Sequence, residues 1–370
     1  MRNQISRLAS LFSILCALLV GGIVGCGEAG TTGPVDSPTT PTSSSQGGAL
    51  GSGGSSTSCQ LIDHSVRISS QADLQAYANM DCFRIRGHLF IQDTAGITDL
   101  SALAGLKSVS GYLAISDNAD LESAVALEGL THVGQGLVVE GNHKLESVEF
   151  AKLRYVGGYL HVFNNAELTA ALFPWLTTVN HDVIFAGVNK LVDLDLSMLT
   201  TIWGKFIFEH SNGLEFLCLP KLVHVDGHFI VHFNGSLEGV SAPWLKSIGG
   251  DLEIERNPEM ERLWLPSLVE VMGDVLVLHH AQLESCLVDT LVDGLEVGGD
   301  VVNDGNATTC EVDVTVPPAG CGEICVDVGG GDDIEEGDDD DDEHGDIELP
   351  KCLEDGDIDG CSRDVLHDLD

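Results

Sequence analysis

Apolar side chains return along this chain at a nearly constant interval. Short β-like runs open on Leu89, Leu113, Leu137, Leu160, Val183, Phe206, Phe229, Leu252, Val275 and Val301, spaced by 24, 24, 23, 23, 23, 23, 23, 23 and 26 residues. Other apolar columns keep step. Two residues after each opener stand Ile91, Ile115, Val139, Val162, Phe185, Phe208, Val231, Ile254 and Val277. Eight after it stand Ile97, Leu121, Leu145, Leu168, Leu191, Leu214, Leu237, Met260 and Leu283. A leucine column (Leu106 through Leu268, then Leu291) and a Val/Ile column (Val109 through Val271) complete the unit. Opener and +2 alternate with period two, so they face one way from a strand, and −1, +1 and +3 face the other. One turn of this kind cannot bury its own apolar side chains, but stacked turns can, and a fixed period of this length is the mark of a solenoid. The pattern predicts a mainly β fold: a solenoid of about nine to ten turns. No stretch sustains a 3.6-residue period, so few helices are expected.

Polar punctuation repeats as well. Asn118, Asn142, Asn165, Asn234 and Asn257 stand five after the opener, where stacked amides can hydrogen-bond the backbone of neighbouring turns. That column breaks at Val188, Ser211 and His280, with Asn189 and Asn212 one residue later. Gly87, Gly111, Gly158, Gly204, Gly227, Gly250 and Gly273 precede the strands and predict a corner with positive φ. Pro174, Pro220, Pro243 and Pro266 mark another corner, where no N–H donor is needed.

The unit Val109-Ser110-Gly111-Tyr112-Leu113-Ala114-Ile115-Ser116-Asp117-Asn118 resembles the receptor L-domain repeat. That family includes the ligand-binding L domains of the insulin and EGF receptors, and similar domains occur in fungal wall and bacterial surface proteins. The resemblance covers roughly Cys59 to Cys310 and implies a right-handed, single-stranded β-helix, a leucine-rich-repeat-like solenoid, with cysteine-containing ends. On that basis Cys59 with Cys82, and Cys286 with Cys310, would form the caps. This chain has more uninterrupted turns than a receptor L domain, so the receptors' ligands do not carry over.

The flanks differ in composition. Residues 1–26 read as a lipoprotein signal peptide: Arg2 and Arg7, an apolar run from Leu8 to Val20 too short to span a bilayer comfortably, then Ile23-Val24-Gly25-Cys26. This ending resembles the bacterial lipobox, which implies a diacylglycerol on Cys26 and acyl chains such as palmitate as the membrane anchor. Gly27 in place of Asp implies the outer membrane or cell surface. Residues 27–58, rich in Gly, Ser, Thr and Pro, read as a flexible tether with a span of roughly 30 Å. Residues 59–320 hold the solenoid, and 321–370 an acidic, cysteine-containing tail expected to be largely disordered.

Charge excludes some partners. The net charge is −41, so no nucleic acid is expected to bind. About twenty of the 58 acidic residues follow Cys321. In the tail, Asp355, Asp357 and Asp359 have the alternating spacing of a calcium loop, flanked by Cys352 and Cys361 as a disulfide pair. Leu366 stands where an EF-hand needs Glu, so weak calcium binding is the only cofactor expectation. Nine of the eleven cysteines lie beyond the signal peptide, an odd number. Cys218, alone in mid-solenoid, is the candidate free thiol.

The outward columns supply the candidate site. Tyr159, His161, Phe163, Ile184, Ile207, Ile230 and His232 form a face apolar enough to meet a protein or glycan partner. Plain β-propensity accounts for the same residues equally well. Glu209, Glu253 and Glu255 offer carboxylates but no clean Asp pair, and the outward histidines, His228, His279 and His280 among them, read as scattered surface residues. No nucleotide-binding or hydrolase motif is present, so no enzyme is expected. The leading expectation is a lipid-anchored envelope module for binding or adhesion. The alternatives are a self-associating structural spacer and, behind it, a carbohydrate-active β-helix enzyme.

Overall fold

A computed structural model describes residues 59–308 and Cys321. Its strands stack in parallel as a β-solenoid of eleven turns. Two 11-stranded sheets run the length of the stack, and a third side carries two 3-stranded sheets. The broad sheet contains the predicted four-residue strands, from Leu89–Gln92 to Val301–Asp304. It begins one turn earlier than expected, at Val66–Ile68, which pairs with Leu89–Ile91. That first turn lacks the Asn column, and the helix Gln71–Gln75 follows its strand instead. Turns are numbered here from Val66, so Leu160–Phe163 is turn 5 and Leu252–Glu255 turn 9.

Register is constant along the broad sheet: Leu160, Val183, Phe206, Phe229, Leu252 and Val275 are successive partners. Each strand from turn 4 to turn 10 alternates a buried with a half-buried position. Openers and +2 residues from turn 2 to turn 10 are fully buried, as are the Val/Ile column from Val133 to Val271 and most of the leucines. Like stacks on like inside this core: the Phe206 and Phe229 rings lie 5.0 Å apart, Phe150 and Phe173 5.3 Å. Val301 departs from expectation. It is 45% exposed because its turn is the last and nothing stacks beyond it. Leu291 sits in the helix Ser285–Val292, whose Leu287 and Val288 pack onto the core.

The change of period has a local cause. On the third side, turns 2 and 3 use 3₁₀ turns, Ser101–Leu103 and Val125–Leu127, whereas turn 4 begins three-residue strands with Ser147–Glu149. The repeat shortens from 24 to 23 residues at that turn. Pro174, Pro220, Pro243 and Pro266 each stand in the turn that follows a third-side strand, as expected.

The glycine expectation is only partly met. Among the corner glycines Gly87 alone has positive φ. The others are required by closeness between turns: a Cβ on Gly227 would sit 2.9 Å from the Gly204 carbonyl carbon and 3.0 Å from the Lys205 nitrogen. The left-handed backbone lies at the opposite end of the strand, four residues after the opener. Asp93, Asp117, Gly141, Asn164, Gly187, His210, Phe233, Arg256, His279 and Gly305 occupy it in ten consecutive turns, with φ from 51° to 73°. Asn, Asp and Gly take this conformation readily, but Phe233 and Arg256 do so at a cost of about 1–2 kcal/mol each. The stack imposes the bend whatever the residue.

Immediately after that bend, the Asn column forms a buried ladder. Asn142 Nδ2 donates to the Ile115 carbonyl oxygen (2.9 Å), and its Oδ1 accepts the Asn118 backbone N–H (3.1 Å). Ser211 and His280, expected as breaks, belong to the ladder. Ser211 N–H donates to Asn234 Oδ1, and both His280 ring nitrogens lie 3.0 Å from backbone carbonyl oxygens, of Asn257 and Ile254. Val188 is the position that interrupts it.

The expected Cys59–Cys82 disulfide is present at the first turn. Cys286 is disulfide-bonded to a partner outside the described residues. Cys218 is not a free thiol: it is bonded to Cys321. Its neighbours Leu217 and Leu219 point into the core, so its own sulfur points out of the third side, where Cys321 meets it. Cys321 is therefore fastened to the solenoid, 103 residues along the chain from its partner. Cys26, Cys310, Cys352, Cys361 and the Asp355, Asp357 and Asp359 calcium loop lie outside the described residues. Among the described residues no helix is long and apolar enough to cross a membrane.

Candidate functional site

The broad sheet carries all seven predicted contact residues on its outward face. His161, Ile184, Ile207 and Ile230 are register partners in turns 5 to 8, so their side chains form one row across the strands. Phe163 and His232 stand in the parallel +3 row, and Tyr159 in the −1 row. All seven are half-buried.

Rings join this face into a ridge that single columns did not reveal. Tyr159 stacks on His161 with centroids 4.3 Å apart, and Phe163 meets His161 edge-on at 6.4 Å. Tyr159 also reaches Tyr112, two turns away, at 5.9 Å. It does so because turn 4 has Gly136 in the −1 row, and a Cβ there would lie 2.6 Å from the Tyr159 ring. Tyr112 in turn stacks on His88 at 5.3 Å, which lies 5.5 Å from Phe90. Six rings thus run from turn 2 to turn 5, and three isoleucines continue the face to turn 8.

The −1 row has a structural duty as well. Its side chains accept the backbone N–H of the next turn: His88 Nδ1 from Tyr112, Asp182 Oδ1 from Lys205, His228 Nδ1 from Asp251, Asp251 Oδ1 from Asp274 and Asp274 Oδ1 from Asp300, at 2.8–3.0 Å. His228 Nδ1 also lies 3.0 Å from Asp251 Oδ2. A ring nitrogen cannot both accept the N–H and donate to the carboxylate, and the repeating ladder assigns it the acceptor role. This spiral of side chains substitutes for the backbone pairing missing at the glycine corner. The sequence signal was available as His228, Asp251 and Asp274 at 23-residue steps.

No family model, curated protein or solved structure matches this chain.

At turns 7 to 9 the face changes from apolar to ionisable. The +3 row reads Glu209, His232, Glu255 in register, with Glu253 beside them in the +1 row. Burial, reinforced by Asp251, Glu255 and Asp274, raises the Glu253 carboxyl to about 7. Burial, together with Arg256, His210 and His280, lowers His232 to about 4. Burial also lowers His161 to about 4, with Asp182 opposing and Lys205 adding to the shift. Ring nitrogens Nε2 of both His161 and His232 are buried without a hydrogen-bond partner. The face therefore has three zones along one sheet: aromatic, aliphatic, and a histidine–carboxylate end.

Proposed function

We propose that this chain is a cell-envelope binding or adhesion module of the receptor L-domain kind, not an enzyme, held to a membrane by lipid on Cys26. In this reading it captures a protein or glycan through the outward face of the broad sheet. The supporting observation is the continuity of that face. Six rings and three isoleucines, all accessible, succeed one another over seven turns where a solvated sheet would carry polar side chains. Flat rings with polar edges suit both the apolar faces of sugars and apolar side chains, and they lose little conformational entropy on contact.

The test is capture of partners from envelope extract and on a glycan array, using the chain from Cys26 onward and an Ile207→Asp/Ile230→Asp control. Retention by the parent and loss in the control is the expected result. Equal retention by both would remove the face from the binding role and favour a structural spacer.

A further inference from the structure

We propose that His232, Glu253 and Glu255 form a binding site for a divalent transition-metal ion of the zinc class, at the C-terminal end of the broad sheet's outward face. One ligand atom from each lies within 4.8 Å of the other two, close enough for a single ion to reach all three. The strands deliver them rigidly: His232 and Glu255 are direct register partners in turns 8 and 9, and Glu253 is two residues before Glu255 on the same face. The donor set, one imidazole nitrogen and two carboxylate oxygens, is built from ligand types that zinc takes, and three protein ligands leave a fourth position open. An all-oxygen set would suit calcium or magnesium instead.

A second observation points to a ligand. His232 Nε2 is buried, with its side chain 14% exposed, yet it has no hydrogen-bond partner. It lies 3.5 Å from Glu253 Oε2, in ion-pair range but without hydrogen-bond geometry. A buried ring nitrogen without a partner is costly, and an ion between it and the carboxylates would satisfy it. Nearby cations do not serve these carboxylates. The Arg256 guanidinium lies over the Phe233 ring at 5.1 Å, and Lys205 is 3.9 Å from Asp182. A neighbouring triad, His228 with Asp251 and Glu253, has equally short spacing. Its imidazole Nδ1 is already committed to the Asp251 N–H, so the His232 triad is the one with a free lone pair.

The experiment is a calorimetric titration of the full chain with zinc, repeated on His232→Gln and Glu253→Gln, with cobalt(II) absorption as a second readout of the coordination sphere. Glu140→Gln, on the same face but outside the triad, is the control. The acidic tail contributes the same background to all four proteins. Metal-free melting curves establish that each variant is folded. The expected result is one zinc site in the parent and in Glu140→Gln. Each ligand variant should bind it at least about 10- to 100-fold more weakly, as loss of even an outer-shell partner does, and should lose the cobalt band. No site in the parent, or an affinity and spectrum unchanged in both ligand variants, overturns the proposal.

Discussion

The buried Asn ladder makes a sharp prediction about what holds one turn to the next. Asn142 stands near its centre, with no solvent-accessible surface. Its Oδ1 accepts from the backbone N–H and the Nδ2 of Asn118, at 3.1 and 2.9 Å, and its Nδ2 donates to the Ile115 carbonyl and to Asn165 Oδ1, at 2.9 and 3.2 Å. Asn142→Val deletes all four bonds. Asn165 Oδ1 keeps the Asn142 N–H at 3.0 Å, and Asn118 Nδ2 keeps the Ile91 carbonyl at 2.9 Å. The Asn118 N–H and one Asn118 amide hydrogen are stranded, and the Ile115 carbonyl is left with its ladder bond to the next strand alone. Each buried unpaired group costs about 1–3 kcal/mol, so with partial relaxation the variant loses about 3–5 kcal/mol. For a domain of this size that lowers Tm by roughly 10 °C. Val188→Asn is the converse. At Val188 the ladder folds back on itself, Asn165 Nδ2 reaching Phe163 O (3.1 Å) in its own turn as well as Val139 O. A new amide there would find the same surroundings as its neighbours and leave stability unchanged or raise it by about 1 kcal/mol. Solenoid stability is a sum over neighbouring turns. Hydrogen exchange at turns 3 and 4 should therefore accompany the melting curves, and Asn142→Val should accelerate it there first. A loss below about 1 kcal/mol, with unchanged exchange, would refute the ladder as an energetic element.

Gly227→Ala tests closeness between turns: the new methyl would press on the Gly204 and Lys205 backbone, with no flexible side chain to give way, and overpacking of about 1–3 kcal/mol is expected in urea unfolding. The pH dependence follows from the buried rings. His161 holds its proton less tightly when folded, at about 4 against an ordinary 6.5, so its contribution is intact above pH 6.5 and is lost as pH falls from there towards 4, where the loss levels off. That window is worth on the order of 2–3 kcal/mol, and His161→Gln should flatten the corresponding part of a Tm-against-pH curve. Glu253 has the opposite sign: its folded carboxyl is raised to about 7, so its contribution is present below pH 4.5 and lost as pH rises to 7. In chelator, Glu253→Gln should therefore melt higher than the parent above pH 7, and an unchanged melting point would contradict the burial of that carboxyl.

Periodicity alone determined the architecture of this protein. Because stacked turns repeat the same inward geometry, the columns opened by Leu89 and Ile91 had to be apolar at a constant step, and a one-dimensional pattern sufficed to reveal the strands and which residues, the seven candidates among them, share the outward face. What lay hidden was whatever depends on contact between turns or on a turn's exact backbone. The corner glycines were recognised, but whether torsion or closeness required them could be seen only with the turns stacked. The left-handed bend at +4 was masked by Phe233 and Arg256, residues that do not advertise it. Ser211 and His280 looked like breaks because side chains other than Asn can join the ladder, His280 through the carbonyl that an Asn would reach and Ser211 through one in its own turn. Parity of cysteines could not pair Cys218 with Cys321, since no repeat relates two positions 103 residues apart. The histidine–carboxylate end likewise came from register: His232 and Glu255 are 23 residues apart in sequence and neighbours in space only because each turn lies directly over the last.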